Sequence, residues 1–172
     1  MDGLDLPDGT HLDVRPLEPS DMAQLEKGFE HLSPRSRYRR FFTTLEQLSP
    51  RELTYLTTLD HDRHEALVAI DPQTHHGVAI ARYVVIGDAP PTAEIAVTVN
   101  DAWQGIGVGT ALMRELAVCA RAHGIVRFSG LVLGENTPML RLLSSSGNVL
   151  SRTVEDGTVE LLVEIKAVQP PA

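Results

Sequence analysis

The stretch Asn100-Asp101-Ala102-Trp103-Gln104-Gly105-Ile106-Gly107-Val108-Gly109-Thr110 limits what this chain can fold into more than any other. It follows a strand-like run, residues 93–99, and opens the clearest helical pattern in the sequence. There Val108, Leu112, Leu116 and Ala120 recur at spacing four, and Gly124 supplies a stop. A strand that feeds a helix through glycines points to an α/β arrangement. Glycine lets backbone come close to a ligand. The first turn of a helix carries unpaired N–H groups at the positive end of its dipole. Together these make an anion site suited to a pyrophosphate.

Three glycine patterns compete for this turn. A P-loop needs Lys-Ser/Thr after its last glycine, and here Gly109 is followed by Thr110-Ala111. A dinucleotide fingerprint needs G-x-G-x-x-G. Gly105, Gly107 and Gly109 give G-x-G-x-G instead, with Thr110 in the last place, and the turn follows a hairpin rather than the first βα unit. The third pattern, Q/R-x-x-G-x-G/A, is satisfied by Gln104, Gly107 and Gly109. The structural alternative is a turn that only packs helix on strand.

The rest of the chain reads as short elements. Residues 11–17 alternate and form a first strand. Helices are predicted over 20–32, with Ser20 as N-cap, over 34–42, and from Ser49-Pro50 onward with Leu53, Leu56 and Leu59 on one face. Strands follow at 66–70, 77–86, 93–99 and 128–133, helices at 107–123 and 136–145, and a last hairpin at 149–154 and 158–165. Residues 1–10 read as a loose lead-in and 167–172 as a frayed tail, leaving a core of about 11–166. This order predicts a single α/β domain, one mixed central sheet flanked by helices on both sides. The 172 residues, 42% hydrophobic and 22% charged, suffice for one core and are too few for two.

Composition excludes several functions. A net charge of −8 argues against general nucleic-acid binding, which needs a basic footprint. The longest apolar stretches, 66–70 and 78–81, are far too short to cross a bilayer. The N-terminus carries Asp2, Asp5 and Asp8 and no apolar leader. The single Cys119 rules out an intramolecular disulfide and fits a reducing cytoplasm, where it reads as a packed small hydrophobe. His61, His64, His75 and His76 lack a third ligand at zinc-like spacing, so no metal is expected.

The Gln104, Gly107, Gly109 pattern resembles the acyl-CoA pyrophosphate loop of the GNAT superfamily of N-acetyltransferases, and the likeness runs from about residue 12 to 165. Three features resemble Pat-type bacterial protein lysine acetyltransferases more narrowly: Ser36-Arg37-Tyr38-Arg39-Arg40-Phe41-Phe42, residues 60–69, and residues 93–99. The resemblance implies a GNAT fold and acetyl-CoA as co-substrate. It implies that Val97, Thr98 and Val99 pair with the pantetheine arm. Gln104, Gly105, Ile106, Gly107, Val108, Gly109 and Thr110 would cradle the pyrophosphate, and Asn136 would help hold CoA. It further implies a catalytic glutamate at Glu94, the Val97 N–H as oxyanion donor, and a protein lysine as acceptor. A small amine acceptor and a non-catalytic acyl-CoA sensor are the alternatives, and monomer or homodimer stays open.

The chemistry agrees with a carboxylate at that place. A free lysine amine, pKa near 10.4, is mostly protonated at neutral pH, so a base must take a proton. A free glutamate titrates near 4.3, so partial burial of Glu94 is expected. GNAT enzymes often protonate the leaving thiolate with a tyrosine; Leu143 stands where one would be expected, and Gly147-Asn148 replaces the frequent Gly-Phe. Arg35, Arg37, Arg39 and Arg40 read best as a solvated helix face with Tyr38, Phe41 and Phe42 turned inward. Their functional reading is an acceptor-site wall or a contact to a CoA phosphate.

Overall fold

The computed structural model describes residues 3–166. In chain order it forms β1 (Leu4–Asp5), β2 (His11–Pro16), α1 (Met22–Glu30), α2 (Pro34–Phe41), α3 (Pro50–Thr57), β3 (His64–Ile70), β4 (Gly77–Asp88), β5 (Pro91–Val99), α4 (Val108–Ala122), β6 (Arg127–Leu133), α5 (Thr137–Ser145), β7 (Gly147–Glu155) and β8 (Thr158–Ile165). The eight strands lie in the order β1-β2-β3-β4-β5-β6-β8-β7. Every pair is antiparallel except β5 with β6.

Strand β3 is buried from Glu65 to Ala69, so both faces of the sheet are covered there. One face carries Leu67, Ala69, Ala79, Ala81, Tyr83 and Ile95, packed against Leu112, Leu116 and Ala120 of α4 and Leu143 of α5. The other face carries Ala66 and Val68 with Leu17. Beyond it Phe29, Leu32, Leu48, Leu53 and Leu56 gather around α1 and α3. The period-four stripe on α4 and the period-two alternation on β3 thus meet as the sequence requires.

Three local expectations are corrected. Residues 4–10 are not a loose lead-in: Leu4 pairs with Leu12, and Leu4 and Leu6 are buried in the main core. The hairpin turns at Pro7-Asp8-Gly9, where Gly9 has φ +86° and donates to the Leu6 carbonyl at 3.0 Å. Ser20 does not cap α1; it sits in a 3-10 turn over Pro19–Asp21. Asp21 instead accepts from the Glu18 N–H at 2.8 Å and holds Arg15 with two bonds of 2.7 Å. Leu59 falls beyond the end of α3 and packs against Leu17, Ala66 and Val68. The tail 167–172 lies outside the described residues. Among them, no helix is long and apolar enough to cross a membrane.

Candidate active site

The parallel pairing of β5 with β6 is brief. Thr92, Ala93 and Glu94 oppose Arg127, Phe128 and Ser129, and there it stops. Beyond that point β6 pairs only with β8, from Gly130 opposite Leu161 to Leu133 opposite Thr158. The rest of β5 stays bonded to β4 and diverges from β6. Two bonds fix which way its backbone points. The Pro91 carbonyl accepts from the Val126 N–H at 3.0 Å, toward β6. The Asn100 N–H donates to the Val78 carbonyl at 2.9 Å, toward β4. Strand alternation then turns the N–H groups of Val97 and Val99, which lie past the last pair with β6, into the gap, where they meet no strand partner.

The gap widens into a cleft of about 940 Å³. Its walls include Glu94, Val97, Thr98 and Val99 from β5, Gln104, Gly105, Gly107, Val108, Gly109 and Thr110 from the turn and α4, and Asn136 before α5. Of the expected site residues Ile106 alone does not border it; its side chain packs against the main core. Trp103 half-buries at the same place and touches both core and cleft.

The turn is built as its glycines require. Gly105 and Gly107 have φ of +79° and +100°, where a Cβ is strained. Gly107 is the N-cap of α4 and offers no side-chain acceptor, so the first-turn N–H groups lack a capping partner. An uncapped helix N-terminus and an unpaired strand edge on one cleft fit the pyrophosphate and the amide-bearing arm of a CoA. Gly109 is less constrained: a Cβ there would meet Val99 and Leu142 side chains at 3.5 and 3.6 Å, ordinary contact, as the alanine option in the pattern requires. The Gln104 amide donates to the Val99 carbonyl at 3.0 Å and to Ser36 Oγ at 3.3 Å, which ties the turn to β5 and α2. Asn136 caps α5, its Oδ1 accepting from the Met139 N–H at 3.4 Å.

Glu94 is exposed, not partly buried as expected. It shares its sheet face with Ala96 and Thr98, and Arg82 on β4 stands opposite Ala96. Leu143 does not occupy an acid position either. It is fully buried, and a Cβ on Gly130 would lie 2.5 Å from its Cδ2. From α5 the cleft receives Pro138, Met139 and Leu142, which carry no acidic proton.

The basic cluster on α2 is only partly a solvated face: Arg35 is exposed, whereas Arg37, Arg39 and Arg40 are half-buried. Arg37 donates to the carbonyls of Leu32, Glu30 and Glu46 at 3.1, 2.8 and 2.9 Å. Arg39 and Arg35 both grip Glu135, at 2.8 Å each, tying α2 to the loop before α5 beside the cleft residues Arg39 and Asn136. These two arginines hold the Glu135 carboxyl down to about 2. Tyr38 faces out, while Phe41 packs edge-on against Phe29. Arg40 lines the cleft, and burial pulls its guanidinium below the usual range against the pull of Glu94 and Tyr55. The Glu135 tie had no local signal in sequence. Arg82 had one: a lone cation in the apolar run of β4. Cys119 is half-buried against the main core, and burial pushes its thiol up. His61 bonds Glu65 at 2.8 Å and His64 stacks on Tyr55.

Comparison with known proteins agrees with this geometry. Residues 28–147 match the family model described as Acetyltransferase (GNAT) family. An acetyltransferase of Pseudomonas aeruginosa is 32% identical over 155 residues, 89% of this chain and 83% of that protein. Acetyltransferase Pat of Mycolicibacterium smegmatis is 33% identical over 139 residues, 81% of this chain but 41% of that longer protein. The crystal structure of the GNAT domain of S. lividans PAT is 32% identical with a TM-score of 0.86, covering 95% of this chain and 96% of that one. A Salmonella typhimurium structure containing its cofactor acetyl-CoA shares the fold, at TM-score 0.71, 18% identity, and coverage of 94% and 98%. The chain belongs to the GNAT acetyltransferase family, acyltransferases that carry an acetyl group from acetyl-CoA to nitrogen.

Proposed function

We propose that this chain acetylates a protein lysine side chain directly from acetyl-CoA, with both substrates bound at once and no acetyl-enzyme intermediate. The observation that carries it is the position of Glu94. It is the last β5 residue paired with β6, at the point where the gap opens, three residues before the Val97 N–H that faces into it. Acetyl-CoA supplies the thioester. Glu94 takes the proton from the attacking amine, through water given its exposure. The Val97 N–H donates to the carbonyl oxygen as charge develops there. Residues 104–110 and the first turn of α4 hold the pyrophosphate, and the edge of β5 from Val97 to Val99 aligns the arm. With only apolar α5 side chains at the cleft, the thiolate takes its proton from water. A reducing cytoplasm suits a chain whose one thiol, Cys119, has no partner in the sequence.

The lysine acceptor rests on the likeness to Pat-type enzymes over residues 36–42, 60–69 and 93–99. A small amine is the second reading, favoured by a chamber of about 80 Å³ beside the cleft. The test is CoA release with two acceptor pools, cell-extract protein and mixed small amines, for the wild type and Glu94→Gln. The substitution lowers kcat about 10²- to 10⁴-fold and leaves acetyl-CoA affinity unchanged. Release with neither pool despite tight acetyl-CoA binding would instead identify an acyl-CoA sensor.

A further inference from the structure

The chamber lies between α1 and the sheet and shares Arg40, Phe41, Ala96 and Thr98 with the cleft. Its walls are mainly apolar, yet two guanidiniums reach it, Arg40 from α2 and Arg82 from β4. Arg82 is 6% exposed. It donates to the Leu56 carbonyl at 3.0 Å and contacts His64 Nε2 at 3.3 Å, both neutral acceptors. Arg40 lies over the Phe41 ring, 4.8 Å from its centroid. Among the described residues neither arginine forms an ion pair with a carboxylate. The acid that lines the chamber, Asp21, is already held by Arg15 through two bonds of 2.7 Å. A chain of net charge −8 thus keeps two cations together in an apolar recess with no carboxylate at ion-pair distance, Glu94 acting on Arg40 only from farther off. Buried charges are ordinarily paired.

We infer that the chamber is the seat of a small acceptor that brings its own carboxylate: the chain acetylates a free α-amino acid with a short apolar side chain, in addition to lysines presented at the cleft mouth. This rests on the amine-acetylation reading above. The carboxylate lies between Arg40 and Arg82, for which a guanidinium is the preferred partner. Both stay cationic at neutral pH, Arg82 even where burial and Arg40 push it down to about 10. The side chain enters the apolar recess. At about 80 Å³ the recess restricts that side chain to a short one. Ala96, on the shared wall, is two residues from Glu94 on the same face of β5, so the α-amine is left beside the base. The amine nitrogen bonds to the acetyl carbon and the C–S bond breaks. The sulfur leaves with the electron pair and takes a proton from water, and the proton lost by nitrogen passes to Glu94.

The experiment compares L-alanine, L-2-aminobutyrate and L-valine with their primary amides, which keep the amine and side chain and lose the charge. Binding is read by calorimetry on the CoA-loaded protein and turnover by CoA release. The wild type prefers each acid over its amide, and Arg40→Met and Arg82→Met reduce that preference about 10- to 100-fold. Should Arg82→Met fail to fold, Arg82→Lys and Arg40→Met carry the comparison. Equal binding of acid and amide by the wild type, or a preference unchanged in a folded Arg40→Met protein, overturns the inference. If neither these amines nor cell-extract protein releases CoA, the amine-acetylation reading fails by itself. The binding preference then still decides whether the arginine pair holds a carboxylate.

Discussion

Gly107 and Gly109 sit two residues apart and are glycines for different reasons. At φ +100° Gly107 has a backbone that an L side chain enters at a cost of about 1–2 kcal/mol. A Cβ there would find only the Pro7 ring, at 3.4 Å, so the strain is conformational and not steric. Gly107→Ala is expected to destabilise the protein by that amount and to weaken acetyl-CoA binding, read by denaturant melts and calorimetry. Gly109 has ordinary helical geometry and room for a methyl group, so Gly109→Ala is expected to stabilise the free protein by about 0.4–1 kcal/mol in the same melts. The sequence pattern made both positions visible because a turn is local. It did not reveal the exposure of Glu94 or the burial of Arg82, which depend on what other elements bring to one sheet face. Leu143 could not be placed for the same reason: a helix turns about 100° per residue, so Leu142 and Leu143 meet different surroundings.

The order of strands and helices, the α4 stripe and the helix starts near Pro34 and Pro50 were legible, because each depends on residues within one or two turns. The placing of β8 between β6 and β7 was not, since any antiparallel hairpin can join a sheet by either strand. Nor was the tie from α2 to the loop before α5, since Arg35 and Arg39 are distant in sequence from Glu135. That tie makes a pH prediction. Glu135 is held below the ordinary carboxylate value of 4.5, down to about 2, by Arg39 and Arg35. A depressed carboxylate contributes fully above the ordinary value and loses its contribution as pH falls toward 2. The α2 tie therefore survives mild acid, and Glu135 titrates near 2 by carboxyl NMR. In Arg39→Gln its midpoint moves up toward 4.5. The pair is exposed, so added salt weakens it.

On the scale of the molecule, the sheet is two sheets joined by three residue pairs of β5 and β6. The strands β1 to β5 lie on one side and β6, β8 and β7 on the other. In the proposed placement, a CoA arm along Val97 to Val99 would replace part of the missing ladder. Hydrogen exchange at residues 97 and 99 is expected to be fast in the free protein and to slow when acetyl-CoA is added, whereas Ala79 and Ala81 change little. Ligand at 100 times its Kd adds about 2.7 kcal/mol to stability. For a protein whose net stability is only about 5–15 kcal/mol, that is a large share. A protease that cuts only the opened chain is therefore expected to act more slowly once acetyl-CoA is added, so the thioester itself guards the chain that consumes it.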